Sequence, residues 1–514
     1  MTTPAAVMSM SSRSTQLPEF AGSGKGGMPG RPALHPLEVT VVVLTSVHLC
    51  FLPWAFGTMD VWSQLMSLGF SVVGFTLVLL PRREERGFSN ETVVITRPIA
   101  RLRRFPVFWA GLVLLGYVAV QGGNPAWRFV SNDSAWWLEP IRAVPGLPAG
   151  IDAPFARSNP WRALVVGVSL WLLVCTVWSG FSRRRSYLAL FTILAGNAFL
   201  VALLGVLQKL SGTGRIFWSF LPGNEAFMAS FIYPNHAGPY LYLGAALGFG
   251  LAWRHYQRAH RGLEKIWSAR LQTLTAVFTG AAVVFSYSRT SILMLFFFVA
   301  VVGGILATRR FWPGKSGGDH REFLPLGILL IGTLGFGLVS LRSEQVWKKF
   351  APLAANPTAV AQDRTVANRA SVDMLRARWL LGWGAGCFRH GFPLFAQNYP
   401  AIYLSGTHGL KYWEHAHNDL LEFPIELGLL GMLPVVAMLL WGAGRFYRCR
   451  SWTNPVSLAV ALGCLLVFLH SGVDFVFQNP AVLFTWGVLF VSLSRWAELD
   501  TAGNHRPGLP PGPR

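Results

Sequence analysis

Apolar stretches of about 20 residues, long enough to cross a bilayer as a helix, recur between positions 37 and 496 with short polar or basic intervals between them. They lack the residue-by-residue alternation of a membrane β-strand. Twelve spans are read, at 37–56, 61–80, 106–121, 161–181, 186–208, 236–253, 271–287, 290–307, 323–341, 418–442, 455–470 and 480–495. The pattern predicts an all-α polytopic membrane protein of about twelve transmembrane helices, with its largest polar interval between the ninth and tenth. Five regions follow: a disordered tail over 1–36, helices over 37–341, the large loop over 342–417, helices over 418–496, and a second tail over 497–514. Inside the loop, residues 365–381 repeat with helical period, placing Val366, Ala370, Met374, Leu375 and Trp379 on one face. That predicts an amphipathic helix along the membrane surface. Gly382-Trp383-Gly384-Ala385-Gly386 then ends it.

Composition agrees with the membrane reading. Only 13% of the 514 residues are charged, against about 25% in soluble domains, and the mean hydropathy is +0.41. The net charge of +21 raises the question of a nucleic-acid partner. The basic residues answer it, because they gather in the short intervals 82–104, 183–185, 254–270, 309–321 and 445–450. All of these fall on one side of the membrane, the distribution of the positive-inside rule, and that side is the cytoplasm with both termini in it. No nucleic-acid-binding module is visible. The loop 342–417, on the opposite side, is also rich in basic residues. Contact with anionic lipid would account for that, and so would a cap over a site for an anionic substrate. The five cysteines, Cys50, Cys175, Cys387, Cys449 and Cys464, imply no disulfide framework, since only Cys387 lies in a large outer loop.

Candidate chemistry concentrates in the run from Tyr412 to Gly431. Glu414, His415, His417, Asn418 and Asp419 stand at the mouth of an apolar helix, with Glu422 and Glu426 deeper in it. At about 1.5 Å per residue, Glu426 lies roughly 13 Å below His417. Ionisable groups at such depth face protein or a wet cavity. Glu422 and Glu426 read as ties between helices rather than substrate contacts. Glu414, His415, His417 and Asp419 have the composition of a metal site. However, histidines two apart do not share a helical face, and the His-Glu-x-x-His pattern is absent, so no metal is expected.

Several short motifs occur in a particular order. His417-Asn418 is followed, after nine residues, by Gly428-Leu429-Leu430-Gly431. Pro234-Asn235-His236-Ala237-Gly238 opens a span, and Ser286-Tyr287-Ser288-Arg289 lies at a span end. Asn368-Arg369 precedes Gly382-Trp383-Gly384-Ala385-Gly386-Cys387-Phe388, and His470-Ser471-Gly472-Val473-Asp474-Phe475 comes late. Together these resemble the O-antigen ligase/O-antigen polymerase superfamily of bacterial membrane glycosyltransferases over roughly residues 186–494. The Thr-Thr that often follows the second glycine in the ligases is Met432-Leu433 here, which leaves polymerase open.

The resemblance implies transfer of a glycan from undecaprenyl diphosphate to an acceptor hydroxyl at the periplasmic face of the inner membrane, with inversion and without a cofactor. The acceptor is lipid A-core for a ligase or another lipid-linked glycan for a polymerase, and polysaccharide-assembly proteins are possible partners. His417 then serves as base, its neutral form favoured by the helix dipole. Arg289 and Arg369 meet the diphosphate, which a guanidinium fork suits. Asn235, His236, Asn418, Asp474 and Glu414 line the substrate.

Each assignment has a structural alternative. His417, Asn418 and Asn235-His236 could cap helices. Arg289 could snorkel to the interface, Arg369 could pair with Asp373, and Asp474 could sit in an exposed hairpin. The competing functional class is a polysaccharide or lipid-linked oligosaccharide transporter, but neither internal repeats nor broken midplane helices are evident.

Overall fold

Proline opens helix after helix in this chain. Its fixed φ suits the first turn, where its missing N–H costs nothing. Pro36, Pro106, Pro160, Pro234, Pro455 and Pro480 all do so in the computed structural model. It describes residues 34–85, 93–96, 98–132, 136–223, 226–311, 357–405, 409–410 and 412–504, with isolated positions between 327 and 351. The long helices are α1 (Pro36–Trp54), α2 (Val61–Leu79), α3 (Pro106–Gly123), α4 (Pro160–Gly180), α5 (Arg184–Ser211), α6 (Pro234–His260), α7 (Ile266–Phe285), α8 (Arg289–Phe311), α9 (Pro357–Ala377), α10 (Asp419–Arg448), α11 (Pro455–His470) and α12 (Pro480–Asn504).

Among the described residues, nine helices are long and apolar enough to cross a membrane: α1 to α5, α7, α8, α10 and α12. The other expected spans fare differently. The span at 323–341 lies outside the described residues. α11 is apolar but has only 16 residues. α6 is long but carries polar residues, and it runs through the middle of the bundle with Tyr240, Leu241, Leu247 and Trp253 all buried. A helix wrapped in protein needs no lipid-facing stripe, so hydropathy understates it. Small residues let its neighbours close in: Gly244 lies against Ala198, Gly248 against Ala276, and Gly250 against Ala459.

Chain direction alternates, so the turns gather at two ends. At one end Glu38 accepts from Ser182 N (2.9 Å) and Ser186 Oγ (2.5 Å), and pairs at 4.0 Å with the buried Arg82. The other end carries His417. There, 125–152 departs from the all-α expectation. β3 (Pro125–Ser131) pairs antiparallel with β4 (Trp136–Pro140) and parallel with β5 (Gly150–Asp152). Two short strand pairs occur elsewhere, β1 (Arg82–Glu85) with β2 (Val93–Thr96) and β6 (Leu404–Ser405) with β7 (Gly409–Leu410).

The amphipathic helix of the large loop exists as α9, but its apolar face does not lie on a membrane. Ala367, Ala370 and Met374 are buried in a cap formed with Trp383, Phe388, Phe392, Trp413 and Ile425. Trp379 falls beyond the helix and is exposed.

The glycine run after α9 has a structural purpose that also corrects the expectation of unbroken helices. α10 is interrupted at Gly428, whose φ of 66° and ψ of 178° are not helical. The loop is seated in the break. Trp383 N donates to Ile425 O and Gly384 N to Glu426 O, while Leu429 N and Leu430 N donate back to Trp379 O and Leu380 O, all at 2.8–3.1 Å. Gln121 of α3 closes the joint from the third side, donating to Glu426 O at 3.0 Å and accepting from Ala385 N at 3.1 Å. Irregular backbone within a membrane-spanning helix is tolerated where protein satisfies its polar groups. The gap is filled by the protein's own loop, so it lends nothing to a transport reading.

Candidate functional site

The site is built on the turn that joins α11 to α12. Asp474 sits in it, fully buried, and its carboxylate gathers four partners. Oδ1 accepts from Phe475 N at 3.0 Å and from His417 Nδ1 at 3.2 Å. Oδ2 accepts from Asn235 Nδ2 and lies 3.6 Å from the Arg364 guanidinium. Burial alone would push this carboxyl up. The hydrogen bond from His417 and the charge of Arg364 outweigh burial and hold it below the usual carboxylate range. The same turn fixes the start of α10, since Asp419 N donates to Ser471 O at 2.7 Å and Phe477 N donates to Asp419 Oδ2 at 2.8 Å.

His417 is held in a left-handed backbone conformation, φ 54°. Non-glycine residues seldom adopt it, and those that do gather at functional sites. Its ring is hemmed by Phe475 at 4.8 Å and Trp413 at 5.7 Å. A carboxylate can only accept, so Nδ1 carries the hydrogen and the neutral ring keeps its lone pair on Nε2. No described residue bonds Nε2, and the side chain is 25% exposed. The arrangement is an imidazole with a carboxylate behind Nδ1 and no partner for Nε2 among the described residues.

The other candidates divide. Asn235 bridges Asp474 and the Tyr233 hydroxyl (3.0 Å), so it is not a helix cap. His236 is buried and donates to Phe475 O at 3.1 Å, clamping the turn from behind. Asn418 precedes α10 without making a capping bond, and its Oδ1 is buried with no partner among the described residues. Glu414 is 63% exposed and faces Arg389 at 3.8 Å rather than His417. Arg289 opens α8, two residues after Tyr287, which is also left-handed (φ 54°). It is half-buried and has no hydrogen bond or ion pair among the described residues. Ser291, two residues on, abuts Gly238 near the start of α6, so Arg289 opens its helix beside the Asn235 segment.

Arg369 does not reach this cluster. It is exposed, its charge is felt at Tyr399, and Asp373 pairs instead with Arg376 at 3.4 Å. Arg364 reaches the cluster instead, donating to Val473 O at 3.0 Å as well as facing Asp474. Arg364 went unnoticed in the sequence although a signal existed. It lies three residues before the buried Ala367 and seven before the buried Ser371, which puts it at the edge of the buried stripe, with Arg369 round the back.

Behind His417 runs a second line of contacts. His415 Nδ1 meets Glu422 Oε1 at 2.7 Å, and its Nε2 meets Arg389 at 3.3 Å. Arginine can only donate, so Nδ1 holds the hydrogen and gives it to Glu422. Burial drives the His415 imidazole down to about 3, with Arg389 adding to the effect. Glu422 also accepts from Ala416 N at 2.7 Å and Gln478 at 3.0 Å, and Glu426 accepts from Phe388 N at 3.1 Å. Both glutamates tie elements together. Among the described residues no three His, Cys, Asp or Glu side chains converge as metal ligands would.

No curated protein matches the chain. A family model described as O-antigen ligase matches residues 274–436, a segment that runs from within α7 to the middle of α10. Arg289, Arg364, the glycine loop and His417 all lie inside it, while Asn235 and Asp474 complete the cluster from outside. This multi-pass membrane chain therefore carries a match to the O-antigen ligase family over residues 274–436, which supports its resemblance to the O-antigen ligase/polymerase superfamily.

Proposed function

We propose that the protein transfers a glycan from a polyprenyl-diphosphate carrier, undecaprenyl diphosphate in bacteria, to an acceptor hydroxyl at the periplasmic side of the inner membrane. The observation that carries this reading is the His417–Asp474 pair, with Nδ1 bonded and Nε2 open. The acceptor O–H gives its proton to Nε2 as the oxygen attacks the anomeric carbon. The bond from that carbon to the diphosphate oxygen breaks, and the electron pair leaves with the lipid diphosphate. One displacement inverts the configuration. Asp474 keeps the imidazole in the accepting tautomer and offsets the charge it gains.

A diphosphate leaving group needs cations more than protons. Arg364 and Arg289 supply them as guanidinium forks, Arg364 in the role expected of Arg369. Asn235, half-buried beside Asp474, meets a sugar hydroxyl. The basic loop over the site suits an anionic donor.

The test is transfer by purified protein from a synthetic polyprenyl-diphosphate glycan. Arg364→Ala and Arg289→Ala are each expected to lower kcat/KM for the donor by about 10- to 100-fold, the worth of a charge-assisted contact. EDTA is expected to leave the rate unchanged. Transfer lost to EDTA and restored by Mg²⁺ would contradict the metal-free displacement, and arginine variants with wild-type kinetics would remove the proposed diphosphate contacts. A deletion strain separates the two acceptors. Single capped repeats without long chains mean a polymerase, and free undecorated polymer means a ligase.

A further inference from the structure

We propose that the Tyr233 hydroxyl is a further contact for the donor's diphosphate, standing beside Arg364 on the leaving-group side of the site; the inference rests on the transfer reading above. Tyr233 is half-buried and immediately precedes α6. Its ring stacks on Phe475 with centroids 4.9 Å apart, and lies 6.4 Å from the His417 ring. Its oxygen is engaged from two sides. Asn235 Nδ2 donates to it at 3.0 Å, and the Arg364 side chain hydrogen-bonds to it as well. The direction of both bonds is fixed. Asn235 Nδ2 also meets Asp474 Oδ2, and a carboxylate only accepts, so the amide turns its nitrogen and not its oxygen toward this corner. A guanidinium can only donate. The phenol is therefore the acceptor in both bonds, and its own hydrogen is left for another group. No described residue takes that hydrogen. Burial pushes the phenol up, and the Asp474 carboxylate adds to the effect, so the hydrogen stays in place at neutral pH.

Asp474 divides the cluster into two sides. His417 bonds Oδ1, while Asn235 and Arg364 gather at Oδ2 with Tyr233 joined to both of them. A single displacement uses such a division, since base and leaving group lie on opposite sides of the anomeric carbon. On the Oδ2 side a guanidinium and a phenol O–H both offer hydrogens, and diphosphate oxygens accept them. The phenol keeps its proton throughout. It donates a hydrogen bond that strengthens as the bond from the anomeric carbon breaks and charge gathers on the diphosphate. A tyrosine present only to pack on Phe475 would need the ring and not the hydroxyl.

The experiment measures binding of farnesyl diphosphate, a glycan-free counterpart of the donor's lipid diphosphate, to the full chain in detergent by isothermal titration calorimetry. Tyr233→Phe keeps the stack on Phe475 and removes the hydroxyl. It is expected to weaken binding roughly tenfold, the worth of a hydrogen bond to a charged group, with the thermal midpoint close to that of the wild type. Farnesol, which lacks the diphosphate, is expected to bind both chains alike. To separate contact from mere support of Arg364, the same change is made in an Arg364→Ala chain, where it is expected to cost roughly a further fivefold. Three results would each overturn the proposal. Wild-type binding by Tyr233→Phe would mean that the hydroxyl meets no diphosphate. No further loss in the Arg364→Ala chain would reduce Tyr233 to a prop for the guanidinium. An equal loss of farnesol affinity would place the effect on the prenyl chain. His417→Ala distinguishes a failure of this inference from a failure of the transfer reading. It should bind farnesyl diphosphate as the wild type does and fail to transfer glycan. Normal transfer by that variant would remove the proposed base, and the binding series would still decide the role of Tyr233.

Discussion

Alanine in place of His417 is expected to cut the rate of glycan transfer by about 10³-fold, within the span typical of a general base. The loss should fall on kcat, because the imidazole acts on a proton in flight rather than on bound substrate. Asp474→Asn should cost nearly as much by a different route. The amide can donate to Nδ1, which lets the hydrogen settle on Nε2 and leaves the wrong nitrogen facing the acceptor. Volume barely changes, but an amide nitrogen facing Nδ1 takes the place of the oxygen that Phe475 N bonds, so the thermal midpoint is read beside the rate. Because the two residues act as one unit, the double variant should be hardly slower than either single one. Three purified variants, assayed beside the wild type and checked for thermal midpoint, decide the matter. Multiplicative losses in the double variant would mean that the two side chains work independently and that the pair is not the base.

Gly428→Ala and Gly382→Ala should have the largest effects on the fold itself. Gly428 occupies a region of backbone space almost reserved for glycine, and a side chain there costs of order 1–3 kcal/mol before any collision. Collision follows. A Cβ on Gly428 would stand 2.5 Å from Leu380 O, and one on Gly382 would stand 2.6 Å from Gly428 N. These are backbone atoms that cannot swing aside, so the loop must leave the break in α10. That would strip partners from four backbone hydrogen bonds and from Gln121. The expected outcome is loss of most folded protein in detergent, read by size-exclusion chromatography and thermal denaturation. Gly69→Ala is the control, on a helix where an added Cβ would meet nothing within 4 Å, and should be neutral. A well-behaved Gly428→Ala would mean that the joint between loop and helix is not what holds the cap in place.

The two sets of variants probe different layers of one arrangement. The glycine joint ties the cap formed by α9 and the Trp383–Trp413 cluster to α10, and α10 is tied in turn to the Asp474 turn through Asp419. Arg364 rides on the cap, while His417 and Asp474 belong to the bundle end. The cap therefore sets where a diphosphate would be gripped relative to the base, and loosening it should harm transfer even where the base pair is intact.

Much of this was readable along the chain. Long apolar runs can satisfy their backbone in a bilayer only as helices, so hydropathy located the nine described helices that are long and apolar enough to cross one. The clustering of Asn235, His417 and Asp474 near span ends was visible because polar residues survive there only for cause. What stayed hidden depends on contacts between segments far apart in sequence. Period alone showed that residues 365–381 were amphipathic, but not that protein rather than lipid would cover the apolar face, nor that the helix would turn Arg364 inward and Arg369 outward. Nothing local marked Gly428 as a break, since its conformation is stabilised by a loop some 45 residues earlier that fills the gap. The sequence by itself determined the solvent, the helices and the residue types available at one end. The tertiary structure decided which nitrogen of His417 meets Asp474 and which arginine reaches the same carboxylate, because tautomer and pairing are set by the partner that arrives across space.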